Sequence, residues 1–540
     1  MNAGKGMRPL WPVAGASLWM ATASNFALWR EMSANHVLER APGWALAAAL
    51  ALIITAALTA LISLLAWRWT LKPVLILLLV ASAAGAYFML AYHVVIDRGM
   101  IVNVLQTDFD EASALVNWRM LGTLGVLGVL PAVIVWRLAI NHAAWPAQAL
   151  RNLAGVAVSV ALIATLVLLS FQPLSSTMRN HKQLRYLINP LNTIYALGHA
   201  ASQPLRRQAG AAPLGTDAMV AGSPARPPLL VLVLGETGRS GNFALNGYDR
   251  PTTPELAREN VVSARRVTSC GTSTAASVPC MFSHLGRDGF EARTQDNETL
   301  LDVLQHAGLA VLWLDNQSGC KGVCDRVPHV DTSSLAHPQL CPGGHCLDGI
   351  MLEGLDERLR ALPAERRARG VVLVMHQMGS HGPAYHLRSP AAFKRFLPEC
   401  VSESLQDCSR AELVNAYDNS IVYTDHFLAS TIGWLKQQQA DFDTAMLYVA
   451  DHGESLGENN LYLHGMPYSI APDVQKHVPW ITWLSPGFET RIGVGAECLR
   501  ANRDAPLSHD NYFHSVLGLM QVSTSVYNRQ LDAYSACAVH

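Results

Sequence analysis

Before Cys270 the chain has no cysteine, although ten follow between that point and the C-terminus. That excludes thiol chemistry and disulfides from the N-terminal half and concentrates both in the C-terminal one. Net charge is scarce as well: 40 Lys and Arg against 41 Asp and Glu leave −1, so nothing argues for a nucleic-acid partner. No internal repeat and no low-complexity block is present. The cysteines also lack the repeated two-residue gap of a zinc ribbon. Several instead form short-loop pairs, Cys270/Cys280, Cys320/Cys324, Cys341/Cys346 and Cys400/Cys408, leaving Cys498/Cys537. An even number of closely spaced cysteines in one domain reads as disulfides formed in an oxidising compartment. The C-terminal domain is therefore expected outside the cytoplasm.

What the sequence has in excess is apolar length. Its mean hydropathy is +0.18, high for a soluble protein of 540 residues. Apolar segments near 11–29, 42–66, 73–96, 120–140 and 153–171 each approach the roughly 20 residues needed to cross a bilayer. The first contains Asn25 and several small residues and could be read as a signal peptide; the four that follow favour a retained anchor. Five spans put the termini on opposite sides. Lys5, Arg8, Arg68, Lys72, Arg137 and Arg151 would then face inward, and Arg30, Arg40, Arg98 and Arg119 outward, a bias toward a cytoplasmic N-terminus.

The expected organisation is a transmembrane domain over 1–171, a bridge over 172–228 and a catalytic domain over 229–540. Within the bridge, 172–201 mixes basic and apolar residues as a helix lying on a membrane surface would, and 203–228 is an Ala, Gly and Pro-rich linker. Beyond it, buried strands at Leu229–Leu234, Leu309–Leu314, Val371–Met375 and Met446–Val449 alternate with helical patterns at Leu300–His306, Met351–Leu362 and Ala411–Gln438. That alternation predicts a largely parallel sheet covered on both faces.

Two of these strands end in polar residues suited to a metal. Met446–Val449 leads into Ala450-Asp451-His452-Gly453-Glu454, and Leu229–Leu234 leads into Gly235-Glu236-Thr237. Carboxylate and imidazole together suit zinc or a similar divalent ion. The carboxyl ends of strands are where open α/β sheets bind ligands. The plainer alternative is a turn in which Asp451 caps a helix. The loop from Ser269 to Cys280 offers Thr272, Ser273, Thr274 and Ser277 as hydroxyl nucleophiles, which need a base or a metal to act. His376, His381 and His464 are further candidates to carry protons or charge near a phosphoryl group.

Taken jointly, Leu234-Gly235-Glu236-Thr237, Asn246 to Pro254, the Cys270–Cys280 loop, His376 to Pro383 and Asp451 to Glu458 resemble the lipid A phosphoethanolamine transferases. That family includes the mobile colistin-resistance enzymes. The resemblance covers essentially the whole chain and implies a five-helix transmembrane domain followed by an α/β alkaline-phosphatase-like, or sulfatase-like, domain. It implies one tightly bound zinc on Glu236, Thr274, Asp451 and His452, with Thr274 as nucleophile. His381 and His464 would bind the donor headgroup or a second zinc used in turnover, and either could protonate the leaving group. Gln317, Ser318 and Lys321 align with a stretch that contacts phosphoethanolamine, although relatives carry Asn where Gln317 stands. Asn103, Thr107 and Glu111, four residues apart on one helix side, match donor-binding residues.

The implied protein is a monomeric, multi-pass enzyme of the bacterial inner membrane with its catalytic domain in the periplasm. Phosphatidylethanolamine would be its donor and lipid A its acceptor, among other membrane lipids. Core sugars, Kdo or periplasmic glucans are alternative acceptors, and a non-catalytic lipid-binding sensor is the reading of another class. A lipoteichoic acid glycerophosphate transferase fits poorly with the cysteine pairs. A sulfatase would need Cys-x-Pro-x-Arg or Ser-x-Pro-x-Arg, which neither loop cysteine supplies.

Overall fold

The computed structural model describes residues 6–39, 41–106, 115–206, 208–220, 226–342, 346–402 and 405–538. Its contacts divide the chain into two compact units. One comprises residues up to Ile101 and Val116–Ser202; the other runs from Gln203 onward and takes in the short stretch that begins at Val102.

Four helices of the first unit, Ala41–Leu64, Leu71–Ala91, Trp118–Arg137 and Trp145–Leu169, are long and apolar enough to cross a membrane. The last begins well before the expected residue 153. Gln148 donates to Asn152 at 2.8 Å, and Asn152 donates to the Ala66 carbonyl at 3.4 Å. Polar residues that satisfy one another inside a bundle no longer mark a boundary. The first apolar segment differs from expectation too. It forms helix Leu10–Thr22, a 3₁₀ turn Ala23–Asn25 and helix Phe26–Ala34. The break has a long-range cause: the Asn25 side chain accepts from the Asn189 N–H at 2.9 Å and donates to the carbonyl of Met20 at 2.8 Å and to that of Asn189. Asn189 Nδ2 in turn donates to the carbonyls of Ser24 at 3.0 Å and Ser82 at 2.7 Å.

The bridge also departs from the expected single helix and linker. Residues 172–201 fold as helix Phe171–Asn180, a 3₁₀ segment Lys182–Leu187 and helix Leu191–Arg206, interrupted where Pro190 cannot donate a backbone hydrogen bond. Residues 203–228 carry two short strands. Gln208–Ala212 pairs with Gln295–Asn297 and Met219–Val220 with Val522–Ser523, while Leu214 and Ala218 enter the core of the second unit.

That core is built on a seven-stranded sheet of β1 (Pro228–Gly235), β2 (Val262–Ala264), β3 (Ala310–Asp315), β4 (His329–Asp331), β5 (Val371–His376), β6 (Asp443–Ala450) and β7 (Trp480–Leu484). Their order is β2-β7-β6-β1-β5-β3-β4. The five from β6 to β4 are mutually parallel, and β7 is antiparallel to both its neighbours. β1, β3 and β5 are buried along their whole length, as strands covered on both faces must be. The register matters most for function. Gly235 stands opposite Ala450, Leu234 opposite His376, and Asp315 opposite His376. Four parallel strands thus terminate side by side, and the residues after each emerge at one edge.

Replacing Asn189 by Leu should leave the Ser24 and Ser82 carbonyls without their donor inside the helical unit. The expected cost is about 1–3 kcal/mol, read as a lowered unfolding temperature of the detergent-solubilised protein. An unchanged temperature would show that this knot does not hold the broken helix.

Candidate active site

Glu236 follows β1 and Asp451-His452 follow β6, and the Asp451 N–H donates to the Gly235 carbonyl at 2.8 Å, so the candidate ligands of neighbouring strands emerge side by side. Gly453 turns the chain away immediately: a Cβ there would lie 2.0 Å from the Val474 carbonyl oxygen, so no larger residue fits. Thr237, a β-branched residue, is held at φ 58°, a conformation such residues rarely adopt. Its N–H donates to Asp451 Oδ1 at 3.1 Å, and its carbonyl accepts from the Tyr417 hydroxyl at 2.6 Å. These bonds hold the strained turn and aim Glu236 into the site.

Thr274 is the first residue of helix Thr274–Met281, where backbone N–H groups have no partner within the helix and favour anions. The loop before it is closed by the Cys270–Cys280 disulfide. Thr274 Oγ1 donates to Glu236 Oε2 at 2.9 Å. His452 Nε2 lies 3.4 Å from Thr274 Oγ1, 3.3 Å from Glu236 Oε1 and 3.4 Å from Asp451 Oδ2. Of the four hydroxyls open from the sequence, Thr274 is the one whose hydroxyl bonds a carboxylate of this cluster. Thr272 bonds the Met466 carbonyl, Ser277 the Asp451 carbonyl, and Ser273 caps the helix through its backbone.

All four groups are buried, and their charges do not balance. Burial alone would raise the Glu236 carboxyl, but the hydrogen bond and charge of His452, with His381 and His464 further off, bring it well below the usual carboxylate range. Burial, and then the negative charge of Glu236, push Asp451 up to about 6. Burial would lower His452, but Asp451 and Glu236 overcome it and raise the imidazole to about 10. Among the described residues Asp451 Oδ2 is buried with no hydrogen bond, its near neighbour being His452 Nε2 at 3.4 Å. Two carboxylates, an imidazole nitrogen and a hydroxyl facing one point, with a carboxylate oxygen unused, fit a divalent cation. Among the described residues Glu236, His452 and His464 also offer ligand atoms within 4.8 Å of one another, so His464 reaches the same cluster. A second group at that spacing, Cys320, Cys324 and Asp325, is set aside because the two cysteines are joined in a disulfide.

The expected substrate-binding residues lie on two loops beside this cluster. Gln317 follows β3; its Nε2 donates to Glu236 Oε2 at 3.1 Å and its Oε1 accepts from Ser318 Oγ at 2.7 Å. Lys321, in a left-handed turn closed by Cys320–Cys324, gives its ammonium to Ser318 Oγ at 2.7 Å and to the Ser318 carbonyl at 2.9 Å. His381 follows β5, with its ring centroid 5.4 Å from that of His464, which is itself 4.4 Å from His452. The buried Asp348 carboxylate braces both loops, accepting from Asn316 Nδ2 at 2.8 Å and from the N–H groups of Met378 and Gly379 at 2.7 and 2.9 Å. Asn103 lies half-buried on helix Arg98–Gln106, while Thr107 and Glu111 fall outside the described residues.

Sequence reasoning missed Glu454 and Tyr385. Glu454 is buried 3.3 Å from His464 Nδ1 and accepts from the Tyr385 hydroxyl at 3.0 Å. Its place in Asp451-His452-Gly453-Glu454 was the available signal. Tyr385 had none, being brought in by the fold.

Comparison with known proteins agrees over both units. Residues 54–205 match the family described as phosphoethanolamine transferase EptA/EptB, and residues 228–522 match the sulfatase family. Phosphoethanolamine transferase EptA of Escherichia coli is 41% identical over 491 residues, covering 88% of this chain and 87% of that one. Phosphatidylethanolamine transferase Mcr-1, also from Escherichia coli, is 37% identical over 535 residues, covering 96% of each. The solved integral membrane protein lipooligosaccharide phosphoethanolamine transferase A from Neisseria meningitidis superposes with a TM-score of 0.92 at 36% identity, covering 98% of this chain and 99% of that one.

The charge state of the cluster has a measurable consequence. With His452 raised to about 10, the metal-free site holds a proton at neutral pH that an entering cation must displace. Affinity for a divalent metal should therefore fall about tenfold for each unit of pH lost between roughly 9 and 7, and more steeply as Asp451 protonates near about 6. Competition with a chelator at several pH values measures this; a flat profile would contradict the assigned protonation.

Proposed function

The chain belongs to the phosphoethanolamine transferases, and from that membership we propose that it moves phosphoethanolamine from phosphatidylethanolamine to a phosphate of lipid A through a covalent intermediate on Thr274. The observation that carries this reading is the approach of Thr274 Oγ1 to Glu236 and His452 at the common end of β1 and β6.

Glu236, Asp451, His452 and the Thr274 hydroxyl would hold a zinc ion, which supplies Lewis acidity to lower the pKa of the hydroxyl and to offset phosphoryl charge. The chain's own groups do the rest. The Thr274 proton leaves along its hydrogen bond to Glu236 Oε2, and the freed oxygen attacks the donor phosphorus. The bond from phosphorus to the diacylglycerol oxygen breaks, and that oxygen takes a proton from His381 or His464, whose rings meet edge to face beside the site. The positive end of helix Thr274–Met281 would favour the phosphoryl oxygens. A lipid A phosphate oxygen then attacks the same phosphorus, its proton passing to the histidine left neutral, and the bond to Thr274 Oγ1 breaks as that oxygen recovers the proton held on Glu236. Lys321, Ser318 and Gln317 orient the headgroup from the neighbouring loop, and Asn103, Thr107 and Glu111 are assigned to donor binding.

Anchoring to the membrane follows from the chemistry, since donor and acceptor are both lipids. Each transferred ethanolamine places an amine beside a lipid phosphate, which weakens the attraction of cationic peptides such as polymyxin and colistin.

Mass spectrometry of lipid A from a Gram-negative host expressing the protein should show a phosphoethanolamine increment that Thr274→Ala abolishes. An increment surviving that substitution would remove Thr274 from its role, and no increment on lipid A from the folded wild type would redirect the search to core sugars, Kdo or glucans. Lys321→Ala should raise KM for the donor about tenfold or more with a smaller change in kcat, as loss of a charge-assisted contact predicts. A fall in kcat alone would place Lys321 in the chemical step instead.

A further inference from the structure

We propose that His509 is the positioning residue that fixes the spacing between the nucleophile loop and the strand end bearing the metal ligands, a role that rests on the transferase reading above. His509 directly follows Leu507–Ser508, a short strand paired in parallel with Val267–Thr268, so a distant part of the chain is delivered beside the loop that leads to Thr274. Its ring is 1% exposed.

The hydrogen bonds define its state. Nδ1 receives the backbone N–H of Cys270 at 3.1 Å. An N–H can only donate, so Nδ1 carries a lone pair and the ring proton sits on Nε2. Nε2 in turn donates to the carbonyl of Ala450 at 3.0 Å. One neutral imidazole therefore bridges the backbone four residues before the nucleophile and the backbone immediately before Asp451. Ser277 makes a second crossing. Its hydroxyl accepts from the Gly271 N–H at 3.1 Å and donates to the Asp451 carbonyl at 2.5 Å, while its oxygen lies 3.3 Å from His509 Nδ1.

A rigid ring with an acceptor on one side and a donor on the other is a spacer of fixed length, and few side chains supply both functions so firmly. What it separates is the loop that positions Thr274 from the strand end that positions Asp451 and His452. Ser318, Lys321 and His381, assigned above to the donor, follow β3 and β5 rather than either segment that His509 joins. Shifting the spacing should thus slow the chemical step and weaken metal binding while leaving donor affinity intact.

The test uses full-length protein in detergent: wild type, His509→Phe, His509→Gln, and Val516→Ala as a buried control on the helix Tyr512–Leu519 that makes none of these contacts. Steady-state transfer from a fluorescent phosphatidylethanolamine gives kcat and KM, and chelator competition gives the zinc Kd. His509→Phe keeps the ring volume but leaves both backbone groups unpaired. Its kcat should fall about 30-fold with KM within about twofold, and its zinc Kd should weaken about tenfold, the size seen when groups behind metal ligands are lost. His509→Gln restores an acceptor and a donor on a more flexible stem and should recover all but about fivefold of kcat. Val516→Ala should lower stability with kcat near wild type.

Wild-type kcat and zinc Kd in His509→Phe would overturn the proposal, as would losses matching Val516→Ala at equal destabilisation. If His509→Phe does not fold, His509→Gln decides: a kcat equal to wild type overturns the proposal, and the fivefold loss at an unchanged unfolding temperature supports it. An inactive wild type would count against the transferase reading alone, and the ratio of zinc affinities would still judge His509.

Discussion

Glu236 and Asp451 are two carboxylates buried together at the end of an apolar sheet, and the ion-pair partner of both among the described residues is the single imidazole of His452. Burying charge without compensation is costly, so a protein that keeps such a pair has a use for it. A bound cation would balance the charge, engage the Asp451 oxygen that makes no hydrogen bond among the described residues, and share the Thr274 hydroxyl as a ligand. The arrangement also explains why so much of the surrounding chain is committed to backbone control. Thr237 is held in a strained turn by Asp451 and Tyr417, Gly453 is pressed against Val474, and Asp348 ties down the loops that follow β3 and β5.

The sheet makes such precision available from plain sequence. Because β6, β1, β5 and β3 are parallel and in register, residues distant in sequence emerge within a few ångströms of one another. Disulfides close the Cys270–Cys280 and Cys320–Cys324 loops, which carry the proposed nucleophile Thr274 and the proposed headgroup contact Lys321, so these two loops are stapled while the candidate ligands Glu236, Asp451 and His452 follow strand ends. The helical unit answers a different need, keeping an enzyme with lipid substrates at the membrane that contains them.

Much of this was legible in the sequence because burial leaves a direct trace. Leu229–Leu234 and Val371–Met375 are continuous apolar runs since both faces of β1 and β5 are covered, and Asp451-His452 is conspicuous because it follows such a run. What was not legible depended on distant partners. Asn25 breaks the first apolar helix through Asn189, more than 160 residues away. The Ala, Gly and Pro-rich stretch after Gln203 looked like a linker because its composition says nothing of the strands Gln295–Asn297 and Val522–Ser523 that it pairs with. Tyr385 and His509 make contacts with distant segments that no local pattern announces, whereas Glu454 lies within a motif whose first two residues are the more conspicuous.

Buried carboxylates that hold a metal against Thr274 would show it crystallographically. Anomalous diffraction from crystals of the full-length protein, recorded on either side of the zinc absorption edge, tests this role most directly. A peak bonded to Glu236, Asp451 Oδ2, His452 Nε2 and Thr274 Oγ1 is expected, with zinc–ligand distances of about 2.0–2.2 Å. Zinc-replete crystals with no peak there, or with zinc bound only at some other group of residues, would contradict it.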